Sequence, residues 1–228
     1  MTRIAGAFAA TGLAAAAIAA SAAFSPPAHA LVLTYELNKH FGNVPASVVP
    51  TVTFDDMDSA GSVRMTIAMP AGPGVGAGEW MSRLFGNVGP APQVLGTDLT
   101  FAYVSGVTGT VATGVDAFQA FDDGTFDFRI EFPLDADDPD RFLVGRESVW
   151  DITDVGGAIT AASFNFFSAP DDGGSGPFIL AARIRNTTGP LGRGGDWVGA
   201  IPIPGAAWLF VSALAGLGLL ARRRTTAA

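Results

Sequence analysis

Acidic side chains are the groups of this chain whose type and spacing could do chemistry. Asp135, Asp137, Asp138 and Asp140 fall within one six-residue segment, and hard cations such as Ca²⁺ take several oxygen ligands of this kind. The segment lacks the glycine at the sixth position and the distal glutamate of an EF-hand loop. Its spacing therefore predicts either a Ca²⁺ site or a solvated acidic turn, and a smaller acidic cluster occupies residues 55–58.

Few side chains could act as catalysts. His40 is the only histidine after residue 30, and a single histidine close to a strand end is more typical of a surface residue than of a general base. Glu131 and Glu147 are the pair that a carboxylate-dependent glycan hydrolase would use, if their carboxyl groups lie roughly 5–10 Å apart. No G-x-S-x-G sequence and no phosphate-binding loop occurs. The sequence therefore predicts that the protein is not an enzyme, with the carboxylate pair as the alternative.

Three tryptophans offer a binding site without catalysis. Trp80, Trp150 and Trp197 lie far apart in the sequence, and each presents a large ring with a polar edge. If the three rings are exposed, they could form a platform on which sugars stack. A carbohydrate-binding module is therefore a second hypothesis, and exposure of the tryptophans decides for or against the platform.

Composition narrows the remaining chemistry. The 228 residues include 13 lysines and arginines, 21 acidic residues, two histidines and no cysteine. The absence of cysteine excludes a thiol nucleophile, a disulfide framework and a thiolate metal site. A net charge of −8 makes nucleic acid an unsuitable partner. With 49% apolar and 15% charged residues, most of the chain can form a packed core.

The N-terminus has the pattern of a secretory signal peptide. Arg3 precedes an alanine-rich apolar stretch over 4–23, and two prolines at 26–27 end it. Ala28 and Ala30 then place small residues at the positions that a signal peptidase recognises. The sequence predicts that residues 1–30 are removed during export.

The C-terminus combines prolines, an apolar run and arginines. Residues 205–221 contain a single polar side chain, and a helix of that length spans roughly 25 Å, at the short end for a membrane crossing. The arginines that follow would stay in the cytoplasm by the positive-inside rule, so the body faces outward. Residues 201–224 are predicted to form a sorting signal with a transmembrane helix at 205–221, and residues 225–228 are a short tail. The positions that carry this pattern are Ile201, Pro202, Ile203, Pro204, Trp208, Arg222, Arg223 and Arg224.

This tail resembles the PEP-CTERM class of bacterial sorting signals, in the variant that reads V-P-L-P-A. Ile203 stands where the classical motif has glutamate, and Gly205 stands where the variant has alanine. The resemblance implies a Gram-negative exported protein that a signal peptidase and an exosortase-type membrane protease process. It also implies an inner-membrane anchor before processing, then the cell surface or a biofilm matrix, with exopolysaccharide as a further partner.

Between the two ends, residues 31–200 alternate between apolar and polar positions with the period of a β-strand. This body holds all 21 acidic residues against nine basic ones, which leaves a net charge of −12. The pattern predicts an all-β domain of eight or nine strands, an antiparallel β-sandwich or jelly roll. Short helices are expected at 79–85 and 116–121. Strands are expected at 31–37, 48–54 (an edge strand because of Pro50), 63–69, 99–103, 126–132, 150–152, 164–166 and 178–184.

The sequence thus favours an exported structural or adhesive protein of the cell surface or extracellular matrix. A carbohydrate-binding β-sandwich module and a carboxylate-dependent hydrolase are the alternatives. No cofactor is expected except Ca²⁺ at the acidic segment.

Overall fold

A computed structural model defines the fold of the body. It describes residues 30–42, 45–57, 61–76, 78–89, 98–121, 124–135, 138–156, 159–169, 176–187 and 194–201. These residues form antiparallel strands and one 3₁₀ turn, with no α-helix among them. The prediction of an all-β body is therefore confirmed.

Twelve strands follow one another in the described part of the chain. They are β1 (Val32–Glu36), β2 (Lys39–His40), β3 (Thr51–Asp55), β4 (Ser62–Ala68), β5 (Trp80–Gly86), β6 (Leu99–Gly106), β7 (Thr110–Gln119), β8 (Thr125–Glu131), β9 (Phe142–Leu143), β10 (Glu147–Asp154), β11 (Leu180–Thr187) and β12 (Gly194–Ala200). The 3₁₀ turn spans Ala161–Phe164, between β10 and β11.

The strands pair into two antiparallel sheets. Sheet A has the order β1-β3-β4-β10-β6, and sheet B has the order β2-β12-β11-β5-β8-β7, with β9 added at one end of β5. Most neighbours within a sheet are distant in sequence, so the fold depends on long-range pairing. This two-sheet arrangement is consistent with the predicted sandwich.

One hydrophobic core takes side chains from both sheets. Strand β4 shows why, since Val63, Met65 and Ile67 are fully buried while the residues between them are half-exposed. Phe128, Ile130 and Ile184 enter the same core from sheet B. Burying each such side chain stabilises the fold by about 1.5–3 kcal/mol.

A second, smaller aromatic cluster belongs to the other side of sheet B. Phe85 and Trp197 lie on the strand positions opposite to those that enter the main core, and Phe178 packs with them. Phe41 stacks on Phe178 with a centroid distance of 4.6 Å, and Phe118 also packs against the cluster. Sheet B is therefore covered by apolar side chains on both of its faces, at least in part.

Several predicted strands are confirmed, but the edge position predicted for one of them is wrong. The pattern at 63–69 forms β4 and the pattern at 126–132 forms β8. The segment 48–54 contains a strand, but β3 begins one residue after Pro50 and lies between β1 and β4. The edge position predicted from Pro50 is wrong because the proline precedes β3, so its missing N–H does not prevent β3 from pairing on both sides. The carbonyl of Pro50 accepts the N–H of Leu37 at 2.9 Å.

The helix predicted at 79–85 is wrong, since these residues form most of β5. Their apolar spacing resembles a helix because β5 contains a bulge. Met81 and Arg83 are two residues apart in β5, but their partners in β11, Ile184 and Arg183, are adjacent. Ser82 is therefore the extra residue. The bulge puts Met81 and Leu84 on the core side at a spacing of three, where a regular strand has a spacing of two.

The helical turn predicted at 116–121 is also wrong. Residues 114–117 form a larger irregularity in β7, because the register jumps between Thr113 and Phe118 while β8 advances by only two residues. Asp116 takes a positive φ of 47° within it. The strand predicted at 164–166 is replaced by the 3₁₀ turn, which delivers Phe164 to the core against Phe54.

Candidate functional site

The residues predicted to direct export lie mostly outside the described part of the chain. Ala30 and Ile201 are described, and Ile201 is exposed. The signal peptide and the transmembrane helix 205–221 remain predictions. Among the residues that the structure describes, no helix is both long and apolar enough to span a membrane. The predicted positions outside those residues are Ala28, Pro202, Ile203, Pro204, Trp208, Arg222, Arg223 and Arg224.

The acidic segment forms a turn in the structure. Asp135 and Asp140 are exposed, and Oδ1 of Asp138 accepts the N–H of Asp140 at 2.8 Å. Asp137 lies outside the described residues. No three acidic or histidine side chains of the described ranges are close enough together to hold a metal ion, so Ca²⁺ binding here remains a prediction.

The three tryptophans are not a sugar platform. Trp80, Trp150 and Trp197 are 9%, 3% and 6% exposed. Trp150 donates its Nε1–H to Oγ of Ser148 at 2.7 Å, and the guanidinium of Arg141 lies 5.4 Å from the ring of Trp80. The expectation of an exposed aromatic platform at these positions is wrong, because the rings complete the packing of both sheets.

The two glutamates considered for hydrolysis lie in different sheets. Glu131 ends β8 in sheet B, where Oε1 contacts Nε of Arg83 at 2.9 Å. Glu147 begins β10 in sheet A, beside an open cleft of about 630 Å³. Arg146 and Glu147 are the charged side chains that line this cleft. Glu131 is not among the residues that line this cleft, so the cleft does not bring the two glutamates together.

The buried carboxylates act on the backbone. Glu79 is fully buried and accepts the N–H groups of Ser47 and Val48 at 2.9 Å each, together with the hydroxyl of Ser47. Asp127 accepts the N–H of Val88 at 3.0 Å and that of Asp116 at 2.9 Å, which fastens the irregular part of β7 to β8. Burial raises the pKa of Asp127 above its usual value.

Asp196 is a further buried carboxylate, and sequence analysis missed its partner. Oδ2 of Asp196 lies 2.5 Å from Nδ1 of His40, and the carboxyl group also accepts the N–H groups of Gly42 and Ala46. The two side chains are 156 residues apart in sequence, so only the pairing of β2 with β12 brings them together. The carboxylate fixes the orientation of the imidazole and the course of the chain after β2.

Four arginines lie together on the outer side of sheet B. Arg83, Arg129, Arg183 and Arg185 occupy positions of β5, β8 and β11 whose side chains point away from the main core, and we call this surface the arginine face. Arg183 pairs in register with Arg83, which in turn pairs with Glu131. The three strands are neighbours in the order β11-β5-β8, so the guanidinium groups start from adjacent strands spaced about 4.8 Å apart.

Opposite charge is scarce on the arginine face. Among the described residues, Glu131 is the only carboxylate in ion-pair contact with these guanidinium groups, at 2.9 Å from Arg83 and 3.5 Å from Arg129. Burial lowers the pKa of Arg183, the nearby charges of Arg185 and Arg83 lower it further, and the charge of Asp196 opposes part of this shift. The surface therefore holds four guanidinium groups, with Glu131 in ion-pair contact and Asp196 close enough to act on Arg183, on a chain with a net charge of −8.

Aromatic rings support two of these guanidinium groups. Arg183 lies 5.1 Å from the ring centroid of Trp197, and Arg129 lies 5.1 Å from that of Phe118. The Nε atoms of Arg129, Arg183 and Arg185 are shielded from solvent and have no hydrogen-bond partner among the described residues. Sequence analysis missed this site because the four arginines are separated by up to about a hundred residues, and only the register of β5, β8 and β11 brings them together.

The outer side of sheet A has a different character. Thr34, Thr53 and Thr66 lie in one row across β1, β3 and β4, and we call this surface the threonine face. Arg64 is its arginine, and it lies in register between Asp55 and Asp151. Nε of Arg64 contacts Oδ1 of Asp151 at 2.8 Å, so the positive charge of Arg64 is neutralised locally.

Comparison with known proteins adds no relative to this description. No protein-family model matches the chain, and no curated protein or solved structure matches it either. The fold and the arginine face therefore define the chain as an all-β, two-sheet protein with a cationic sheet surface.

Proposed function

We propose that the chain is an exported structural protein of the cell surface or extracellular matrix, built as a β-sandwich body and sorted by residues 201–224. In this proposal residues 1–30 are removed by a signal peptidase. The helix at 205–221 holds the protein in the inner membrane until an exosortase-type protease cuts near Pro202 and Pro204.

The main support for a structural role is that the buried carboxylates accept hydrogen bonds from backbone groups. Glu79, Asp127 and Asp196 each accept at least two backbone N–H groups from other segments. A carboxylate that is committed to backbone groups in this way fastens loops to the sheets. Since the chain has no cysteine, such clamps and the core must supply the rigidity that disulfides supply in many exported domains.

The first residues of the body support processing after Ala30. The N–H of Leu31 donates to Oδ2 of Asp56 at 3.3 Å, and the N–H of Asp56 donates to the carbonyl of Leu31 at 3.1 Å. Cleavage after Ala30 turns the amide of Leu31 into an ammonium group, so this contact becomes an ion pair. The new terminus therefore keeps its place beside Asp56 and gains a charge-assisted contact.

Fractionation of cells that express the full chain tests the export route. The mature protein should begin at Leu31 in N-terminal sequencing and should reach the surface or matrix fraction. A chain that begins at Met1 or Thr2 in that fraction would contradict removal of residues 1–30.

Two variants of the tail separate sorting from folding. Deletion of 205–228 should leave the body soluble in the periplasm, because the membrane anchor is gone. Replacement of Arg222, Arg223 and Arg224 by alanine should impair orientation and processing, because the cytoplasmic positive charge is lost. If the deleted chain reaches the same surface fraction as the full chain, the tail is not the sorting determinant.

A carbohydrate-binding role is the second candidate. The arginine face, and not the three tryptophans, is the surface that supports it. Binding there needs no exposed aromatic platform, because guanidinium groups recognise acidic groups directly. Expected affinity for neutral sugars is accordingly low.

A further inference from the structure

We infer that the arginine face binds a linear polysaccharide that carries carboxylate groups. That the ligand is a polysaccharide rests on the proposed extracellular role. That the ligand is negatively charged rests on the geometry of sheet B. The inference assigns carboxylate groups of the polymer as ligands of Arg183 and Arg185, and as further ligands of Arg83 and Arg129, which already contact Glu131.

Charge complementarity is the first argument. Arg183 and Arg83 lie directly opposite each other on paired strands, and like charges in such positions destabilise a sheet. Arg185 adds a third charge two residues along β11. An anion that bridges these groups removes the repulsion and gains hydrogen bonds at the same time, so its binding is favoured on both counts.

The state of the donors is the second argument. Nε of Arg183 and Nε of Arg185 are shielded from solvent and have no acceptor among the described residues, so an external carboxylate would meet the Nη groups of these half-exposed side chains. The guanidinium of Arg183 is held over Trp197, so part of its conformational freedom is already lost before a ligand binds. A carboxylate can take two parallel N–H donors from one guanidinium, which is the pairing that gives such contacts their strength.

The shape of the face favours an extended polymer. The arginines lie on three adjacent strands, about 4.8 Å apart from strand to strand. One hexuronate residue of a linear polysaccharide has about the length of that strand spacing. Successive acid groups can therefore meet Arg183 of β11 and Arg83 of β5, whereas on β8 Glu131 occupies the position in register and Arg129 lies two residues away.

Other polyanions fit the surface less well. The rings of Trp197 and Phe118 have Arg183 and Arg129 over them, so they offer no free face for stacking nucleic-acid bases. Strands β5, β8, β11 and β12, as far as they are described, expose no large apolar side chain, but Val115 of β7 and Phe121 beside Trp197 are exposed, so anionic vesicles are a competitor that the test must include.

A binding measurement with purified full-length chain in a nonionic detergent tests the inference. The probe is polygalacturonate, titrated at low and at high salt, and its fully methyl-esterified form is the matched uncharged ligand. The variant is the double substitution Arg183→Gln with Arg185→Gln. Arg64→Gln is the matched control, because it is the same exchange on the threonine face. Circular dichroism and a thermal melt of each variant establish that it is folded.

The expected result has three parts. The full chain binds polygalacturonate and not its methyl ester, added salt weakens binding, and the double variant binds roughly tenfold more weakly or worse. Arg64→Gln binds as the unaltered chain does.

Four outcomes would overturn the inference. They are no binding at low salt, equal loss in the double variant and in Arg64→Gln, tighter binding to single-stranded DNA or to anionic vesicles than to polygalacturonate, and salt-sensitive self-association through the arginines when no polymer is present. The export experiments are independent of this measurement. If the protein is sorted correctly to the surface but does not bind the polymer, the binding inference is rejected and the export proposal stands. If the protein binds the polymer but is not sorted, the export proposal is rejected and the binding inference stands.

Discussion

The threonine face and the arginine face are the outer sides of two sheets that share one core, yet they handle charge and apolar surface differently. On the threonine face, Arg64 lies between two aspartates in register. On the arginine face, Arg183 lies opposite Arg83, and Glu131 is the carboxylate that the pair shares with Arg129. The first face has one arginine between two carboxylates, and the second is left with excess positive charge.

The two faces also differ in what lies beneath the polar side chains. The threonine face carries short side chains directly over the sheet. The arginine face covers a second aromatic cluster that includes Phe85 and Trp197, and the long arginine stems pack on that cluster while their charged ends reach solvent. Excess charge can be kept on this face because the apolar contacts beneath it offset part of the repulsion.

The largest expected effect follows from that aromatic cluster. Trp197→Ala should destabilise the protein by about 3–5 kcal/mol, because it removes a buried ring and leaves a cavity under Arg183. Thr53→Ala is the matched truncation on the threonine face, and it should change the free energy of unfolding by less than about 0.5 kcal/mol. Urea denaturation of both variants measures the difference. Equal losses would show that the outer side of sheet B carries no second layer of packing.

A smaller loss is expected at the carboxylate that fastens β7. Asp127→Ala should cost about 2 kcal/mol, because the N–H groups of Val88 and Asp116 lose their acceptor. Asp127→Asn should lose less, since its side-chain oxygen can still accept one of them. Chemical denaturation of the two variants gives the comparison, and a loss in Asp127→Asn as large as in Asp127→Ala would contradict it.

The same carboxylate has an expected pH dependence. Burial raises the pKa of Asp127 in the folded state, so the folded protein holds this proton more tightly than the unfolded chain does. The stability that this protonation contributes is present below the unfolded pKa and is lost as pH rises through the folded pKa. The advantage of the unaltered chain over Asp127→Ala should therefore be larger at about pH 4 than at about pH 7, and the opposite trend would contradict the raised pKa.

Sequence analysis could predict the strands whose alternation is regular. Strand β4 alternates cleanly between buried and half-exposed positions, and β8 does so except at the buried Asp127; the predicted bounds of both strands lie within about one residue of the observed ones. Strand β5 was missed because the extra residue Ser82 changes the apolar spacing from two to three. Strand β7 was missed because residues 114–117 leave the ladder and are held by Asp127, which is not adjacent in sequence.

The candidate site could not be predicted for a related reason. Local patterns predict which residues of a strand share a face, but they do not predict which strands are neighbours. Arg83, Arg129 and Arg183 come together only through the order β11-β5-β8. The tryptophans were misjudged for the same reason, since Trp197 is covered by residues from other strands, such as Phe85 and Arg183.

A gain in stability is expected when charge is removed from the arginine face. Arg185→Gln should stabilise the protein by about 0.2–0.5 kcal/mol at low salt, because it relieves repulsion on Arg183. The gain should disappear at about 500 mM salt, where exposed charges are screened over a few ångströms. Thermal melts at two salt concentrations measure it. A loss of stability that persists at high salt would show that Arg185 has a structural role in this sheet.

The smallest effect is expected on the threonine face. Arg64 is exposed enough that water can replace its contacts, and exposed ion pairs contribute little to stability. The hydrogen bond to Asp151 raises the pKa of Arg64, and an arginine side chain is in any case charged near neutral pH. Arg64→Gln leaves Asp55 and Asp151 in register with a neutral amide between them, and the melting temperature of the variant should stay close to that of the unaltered chain.

The salt dependence of Arg64→Gln should have the opposite sign to that of Arg185→Gln, because screening relieves repulsion between two carboxylates in the variant. A thermal melt of Arg64→Gln at the same two salt concentrations tests this. If Arg64→Gln and Arg185→Gln respond to salt alike, the two faces do not differ in charge balance, and the contrast between them fails.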